Sequence, residues 1–130
     1  MSCFIFGDCL ALGLAAVLGG CASNAEVGIS SAAVIQKAPP ANYDLVVIST
    51  GSNDPGNPRL PRNLETIRSK VHAGRVVWVR PVNATAGAAL ASVAARHGDS
   101  VASVKPGRDN VHPRNYHVLA AAVLATRKGS

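Results

Sequence analysis

The chain has 130 residues, the length of one domain spanning 1–130, with 48% apolar and 15% charged residues, which is core-forming and not the composition of a disordered tail. Aromatics are 4% against 22 alanines and 12 glycines; this excludes a collagen, a mucin or a coiled-coil rod and disfavours a single-stranded nucleic-acid platform, which needs exposed rings for base stacking. The net charge of +6, from 13 basic and 7 acidic residues, favours anionic partners, yet the cations run from Lys37 to Lys128 without a dense cluster, so no specific nucleic-acid partner is expected.

In chain order, Cys3-Phe4-Ile5-Phe6 reads as a short strand ended by Gly7-Asp8, and Leu10 to Gly19 is rich in helix formers. Leu18-Gly19-Gly20-Cys21 is similar to a bacterial lipoprotein cleavage box. No Lys or Arg precedes the apolar run, however, and Asp8 interrupts it, so neither a signal peptide nor a lipid anchor is expected. The expected location is cytoplasmic or within a larger assembly, with no membrane span, since no stretch approaches ~20 apolar residues. Cys3, Cys9 and Cys21 are odd in number and lack C-x-x-C spacing, which argues against a disulfide framework and against a zinc site and leaves at least one free thiol.

A weaker strand around Glu26-Val27 leads into Gly28, and Ser31 to Lys37 reads as a short helix stopped by Pro39-Pro40. Leu45-Val46-Val47-Ile48 is a continuous run of the kind buried on both faces of a parallel sheet. Residues 51–58 are a loop by composition, and Pro61 opens a helix whose Leu64, Ile67 and Val71 form one apolar stripe. Arg75 to Val79 is the next strand, Ala84 to His97 an alanine-rich helix, Ser100 to Val104 a last strand, and Pro113 to Arg127 a final helix. Alternating strands and helices predict one parallel sheet covered on both faces, with its site in the loops beyond the strands' carboxyl ends.

Four such loops carry suggestive residues. Cys9 in Gly7-Asp8-Cys9 stands at a helix N-terminus, which is expected to lower its thiol pKa. Gly28 can bring a backbone N–H close to a substrate oxygen, and Asn53 in Gly51-Ser52-Asn53-Asp54 can donate an amide hydrogen bond. In Asp109-Asn110-Val111-His112-Pro113 a carboxylate three residues before an imidazole can orient it as a general base. Asp8 and Asp54 are expected to support the loops carrying Cys9 and Asn53. His72, His97 and His117 fall at or on helices, Trp78 in a strand core, and Arg108 and Arg114 flank the Asp109–His112 loop.

The order G-D-x, Gly, G-x-N-D, D-x-x-H-P resembles the GDSL-type, or SGNH, hydrolase superfamily along nearly the whole chain. The resemblance implies a flavodoxin-like three-layer α/β/α sandwich on a five-stranded parallel sheet. It also implies a catalytic triad of Cys9, His112 and Asp109, with Cys9 in the place of the family's serine, and an oxyanion hole from Cys9, Gly28 and Asn53. The implied activity is hydrolysis of a small ester or acylated saccharide without metal or cofactor; the oligomeric state is left open. The alternative is a weak or inactive module of the same fold, serving as a binding or structural part of a virion or cell envelope.

Overall fold

Which layer each strand residue joins is decided by alternation, because successive side chains along a strand point to opposite faces. The computed structural model describes residues 2–126. Five parallel strands, β1 (Cys3–Gly7), β2 (Ala22–Ala25), β3 (Tyr43–Ser49), β4 (Ala73–Arg80) and β5 (Ser100–Ser103), lie in the order β2-β1-β3-β4-β5. The helices are α1 (Cys9–Val17), α2 (Ser31–Val34, continued by a 3-10 turn over Ile35–Lys37), α3 (Leu60–Ser69), α4 (Ala84–His97) and α5 (Tyr116–Ala125). Phe4, Phe6, Val46, Ile48, Val76 and Trp78 face α2, α3 and α4, meeting Val34, Leu64, Ile67, Leu90 and Val93. Ile5, Leu45, Val47, Val77 and Val79 face α1 and α5, meeting Leu10, Leu14, Leu119 and Val123. The architecture is the flavodoxin-like α/β/α sandwich with a five-stranded parallel sheet. Among the described residues no helix is long and apolar enough to cross a membrane.

Local chemistry sets the boundaries. Asn83 caps α4 by accepting from the Ala86 N–H at 3.0 Å, and Gly98 ends it in the left-handed region at φ 68°. Trp78, fully buried in β4, donates its indole N–H to Asp99 at 2.9 Å. Arg68 meets the same carboxylate at 2.7 and 3.1 Å, so this buried charge is paired.

Several expectations from the sequence are corrected. The second strand is Ala22–Ala25, not Glu26-Val27; it is an edge strand with no β-branched residue, fixed by its register against Phe4–Gly7, and Val27 is exposed. Val71 is buried but lies past the end of α3. The final helix starts at Tyr116 with Asn115 as its cap, because Pro113 is held in a bridge to Pro106; its expected end at Arg127 lies outside the described residues. Cys3 and Cys21 form a disulfide, against the expectation of none. Parallel pairing of β1 with β2 sets Phe4 beside Ala22, which brings the two preceding cysteines to a Cα separation of 4.8 Å despite a sequence separation of 18. Cys9 is the free thiol among them.

Candidate active site

β1 is followed by β2 on one side of the sheet and β3 on the other, so the strand order reverses at β1 and opens a crevice beyond its carboxyl end. The exit from β1 requires glycine: Gly7 has φ 136°, and a Cβ there would run into the Ser49 carbonyl. The turn places Asp8 as the cap of α1 and Cys9 as its first residue. Asp8 is fully buried, its Oδ1 accepting from the Leu10 N–H at 3.1 Å and the Ser49 hydroxyl at 2.8 Å, while its Oδ2 has no partner among the described residues. Burial pushes the Asp8 carboxyl up, against the opposing pull of those hydrogen bonds.

The second half of the site is the loop from Lys105 to Arg114. Its base is closed by the Pro106–Pro113 bridge, by the Gly107 N–H on the His112 carbonyl (2.8 Å) and by the Arg114 N–H on the Lys105 carbonyl (2.9 Å). Asp109 Oδ1 accepts from the N–H groups of Val111 and His112 at 3.0 and 2.9 Å, and its Oδ2 lies 2.5 Å from His112 Nδ1. The His112 side chain, then those backbone N–H groups, hold the Asp109 carboxyl down to about 2. An ionised Asp109 can only accept, so His112 Nδ1 carries the proton that joins the two. His112 Nε2 is 3.1 Å from Cys9 Sγ. Cys9, His112 and Asp109 therefore form one hydrogen-bonded line, joining residues 103 positions apart.

The thiol departs from the sequence expectation of a lowered pKa. Burial, then the Asp8 carboxylate behind it, push the Cys9 thiol up. The N–H groups of Cys9 and Leu10 pull the other way and are outweighed by burial and by the Asp8 charge.

Gly28 and Asn53 lie on the two loops flanking this line. Gly28 follows β2, exposed and in the left-handed region at φ 79°. Asn53 spends one amide N–H on the Ile29 carbonyl at 2.9 Å, one residue beyond Gly28. Asp54 reaches across to the same loop and accepts from the Ser31 N–H (3.0 Å) and hydroxyl (2.6 Å), and also from the Asn57 amide (3.0 Å). Asn63 from α3 donates to the Ser31 hydroxyl at 3.0 Å.

The sequence shows no sign of Ser49 or Asn63 at the site and places Ser31 only as the first residue of a short helix. It shows no sign of Tyr116 either, whose hydroxyl is pushed up by burial and then by charge at Cys9 and Asp8. Tyr116 lies across Gly13, one helical turn from Cys9, where a Cβ would strike its ring. A glycine inside a helix costs about 1 kcal/mol against alanine, and that was the available signal of close approach. The remaining candidates stay outside the site: His97 ends α4 and pairs with Glu65 at 2.8 Å, His72 follows α3, and His117 is on α5.

No protein-family model matches this chain, and no curated protein does. Among solved structures it is similar to the C-terminal catalytic domain of the Streptococcus pneumoniae peptidoglycan O-acetyltransferase A, solved with a methylsulfonyl adduct. The TM-score is 0.56 at 18% identity, covering 94% of this chain and 86% of that one. The likeness shows that the fold is SGNH-like.

Proposed function

We propose that the protein is a thiol-dependent acyl hydrolase of the SGNH type, acting on a small ester or an acylated saccharide. The observation that carries this reading is the line from Cys9 Sγ through His112 to Asp109, at 3.1 and 2.5 Å, beside the reversal in strand order. Nucleophile, base and orienting carboxylate stand in hydrogen-bond reach of one another, as acyl transfer requires. The likeness to a catalytic domain whose protein is an O-acetyltransferase supports an acetyl group as the first acyl group to try.

In this reading His112 Nε2 takes the Cys9 proton as sulfur attacks the ester carbonyl, and Asp109 stabilises the imidazolium through Nδ1–H. The oxyanion is met by the Cys9 N–H, which has no partner within α1, by the Gly28 N–H, and by the second N–H of the Asn53 amide. Such a donor is typically worth about 3 kcal/mol. His112 then protonates the leaving alcohol, and water, activated by the same imidazole, resolves the thioester.

Turnover of a chromogenic acetyl ester is expected from the intact protein and is expected to vanish in Cys9→Ala, with His112→Ala slowing it by at least about 10²-fold. Turnover that survives Cys9→Ala overturns the reading. The raised thiol favours a second reading, a weak or inactive module of the same fold. Cys9→Ser separates the two: a large gain in turnover marks the native thiol as an attenuated nucleophile.

A further inference from the structure

We propose that the alcohol half of the ester carries an anionic group, a carboxylate or a phosphate, held by Arg108 and Arg114. This rests on the catalytic reading above, because that reading fixes which half of the substrate lies where. His112 must hand its proton to the leaving oxygen, so the alcohol half leaves across the loop that carries His112.

That loop lines an open cleft of about 750 Å³, with Arg108, Asp109, His112 and Arg114 in its wall. The two arginines are four residues before and two after the imidazole, and the backbone bonds at the base of the loop tie their main chain to that of His112. Elsewhere, carboxylates answer cations: Asp99 meets Arg68, Glu65 meets Arg96, and Glu26 meets Lys37. On this loop the one carboxylate, Asp109, is committed to His112 and two backbone N–H groups. The Arg108 and Arg114 guanidinium groups have no such partner among the described residues. Other surface cations share that condition; these two differ in lining the cleft that contains the proton donor to the leaving group. A planar guanidinium with a fork of N–H donors suits carboxylate and phosphate oxygens alike.

The test compares kcat/KM for 3-acetoxybenzoate, 3-acetoxyphenyl phosphate and the neutral methyl 3-acetoxybenzoate. The neutral ester is the internal reference in each protein. An exposed charge contact is worth a factor of about two to five, so the pair should give the preferred anionic ester about a tenfold advantage. The carboxylate and phosphate arms identify which anion is meant. In the double variant Arg108→Gln, Arg114→Gln the ratio of anionic to neutral ester should fall towards one, and high salt should lower it in the wild-type protein. An equal ratio in the two proteins overturns the proposal. Absence of turnover with all three esters instead sinks the catalytic reading. The anion site is then decided by titrating 3-hydroxybenzoate and 3-hydroxyphenyl phosphate while following the backbone amide signals of residues 107–114. Saturable shifts that disappear in the double variant support it; no shift, or equal shifts in both proteins, overturns it.

Discussion

Asp54 receives hydrogen bonds from two loops at once, and its truncation to alanine separates a structural tie from the catalytic line. The carboxylate accepts from the Ser31 N–H, the Ser31 hydroxyl and the Asn57 amide, at 3.0, 2.6 and 3.0 Å. Ser31 is fully buried, so Asp54→Ala strands two of its polar groups, each at about 1–3 kcal/mol. Asp54 itself is only half-buried, and water entering the vacated space recovers part of that loss. The Asn57 amide is a local contact and adds little. The expected destabilisation is about 2–4 kcal/mol, with Asp54→Asn losing roughly half as much because its Oδ1 still serves the Ser31 N–H. Urea unfolding reads this as a midpoint lowered by about 1–2 M at unchanged slope. Ester turnover should fall further than stability explains, since the same tie holds Gly28 beside Asn53, and misplacing a group by ~1 Å can cost ~10²-fold. Alkylation of Cys9 by iodoacetamide should stay unchanged, because Cys9, His112 and Asp109 stand on other loops. A destabilisation below about 0.5 kcal/mol, or a parallel loss of alkylation, refutes the reasoning.

Three further outcomes follow from the structure. Replacing both Cys3 and Cys21 by alanine should cost about 3 kcal/mol, the loop-closure value for an 18-residue separation, and urea midpoints equal to wild type would contradict it. The pH profile of Cys9 alkylation should inflect above the ordinary thiol value of 9.0 and move to lower pH in Asp8→Asn, which removes the charge but still caps α1; an inflection near neutrality in the wild-type protein would contradict it. Asp109 has a folded value of about 2 against an ordinary 3.8, so its contribution is present above 3.8 and lost as pH falls through about 2. The hydrogen-bonded Nδ1 proton of His112 should therefore remain visible by NMR at pH 4, and its disappearance there while the fold persists would refute the link.

Strong periodic signals made most of the fold legible. The Leu45–Ile48 run is buried throughout, and Ala84–His97 begins and ends where Asn83 and Gly98 require. β2 was illegible because Ala22, Ser23 and Asn24 are exposed and carry no strand preference; hydrogen bonds to β1 create the strand. The Cys3–Cys21 bond was hidden for the same reason, since spacing along the chain says nothing about a partner supplied by sheet pairing. At the site, Asp109 and His112 could be paired by local spacing, whereas their meeting with Cys9 could be anticipated only through the order of four motifs. The Asp54–Ser31 tie spans 23 residues and joins two side chains with no helical or strand period between them. No local pattern could have revealed it.

The direction of the Cys9 shift decides what kind of thiol chemistry the site can perform. A helix N-terminus favours a thiolate only when its free N–H groups reach the sulfur and no negative charge lies behind it. Here Asp8 takes the Leu10 N–H for its own cap, is itself buried, and opposes a second negative charge next to it. The raised thiol thus keeps its proton at rest, as a hydroxyl nucleophile does, and attack on a carbonyl requires that proton to be removed. His112 must remove the proton during attack, so its position fixed by Asp109 matters as much to this thiol as it would to a serine. Asp8 therefore serves two ends that conflict: it sets the geometry of α1, and it holds back the nucleophile at the helix's first residue. Asp8→Asn isolates the second, because asparagine keeps the cap and removes the charge. Alkylation shifted to lower pH with α1 intact is the expected result, and an unmoved profile would assign the raised thiol to burial alone.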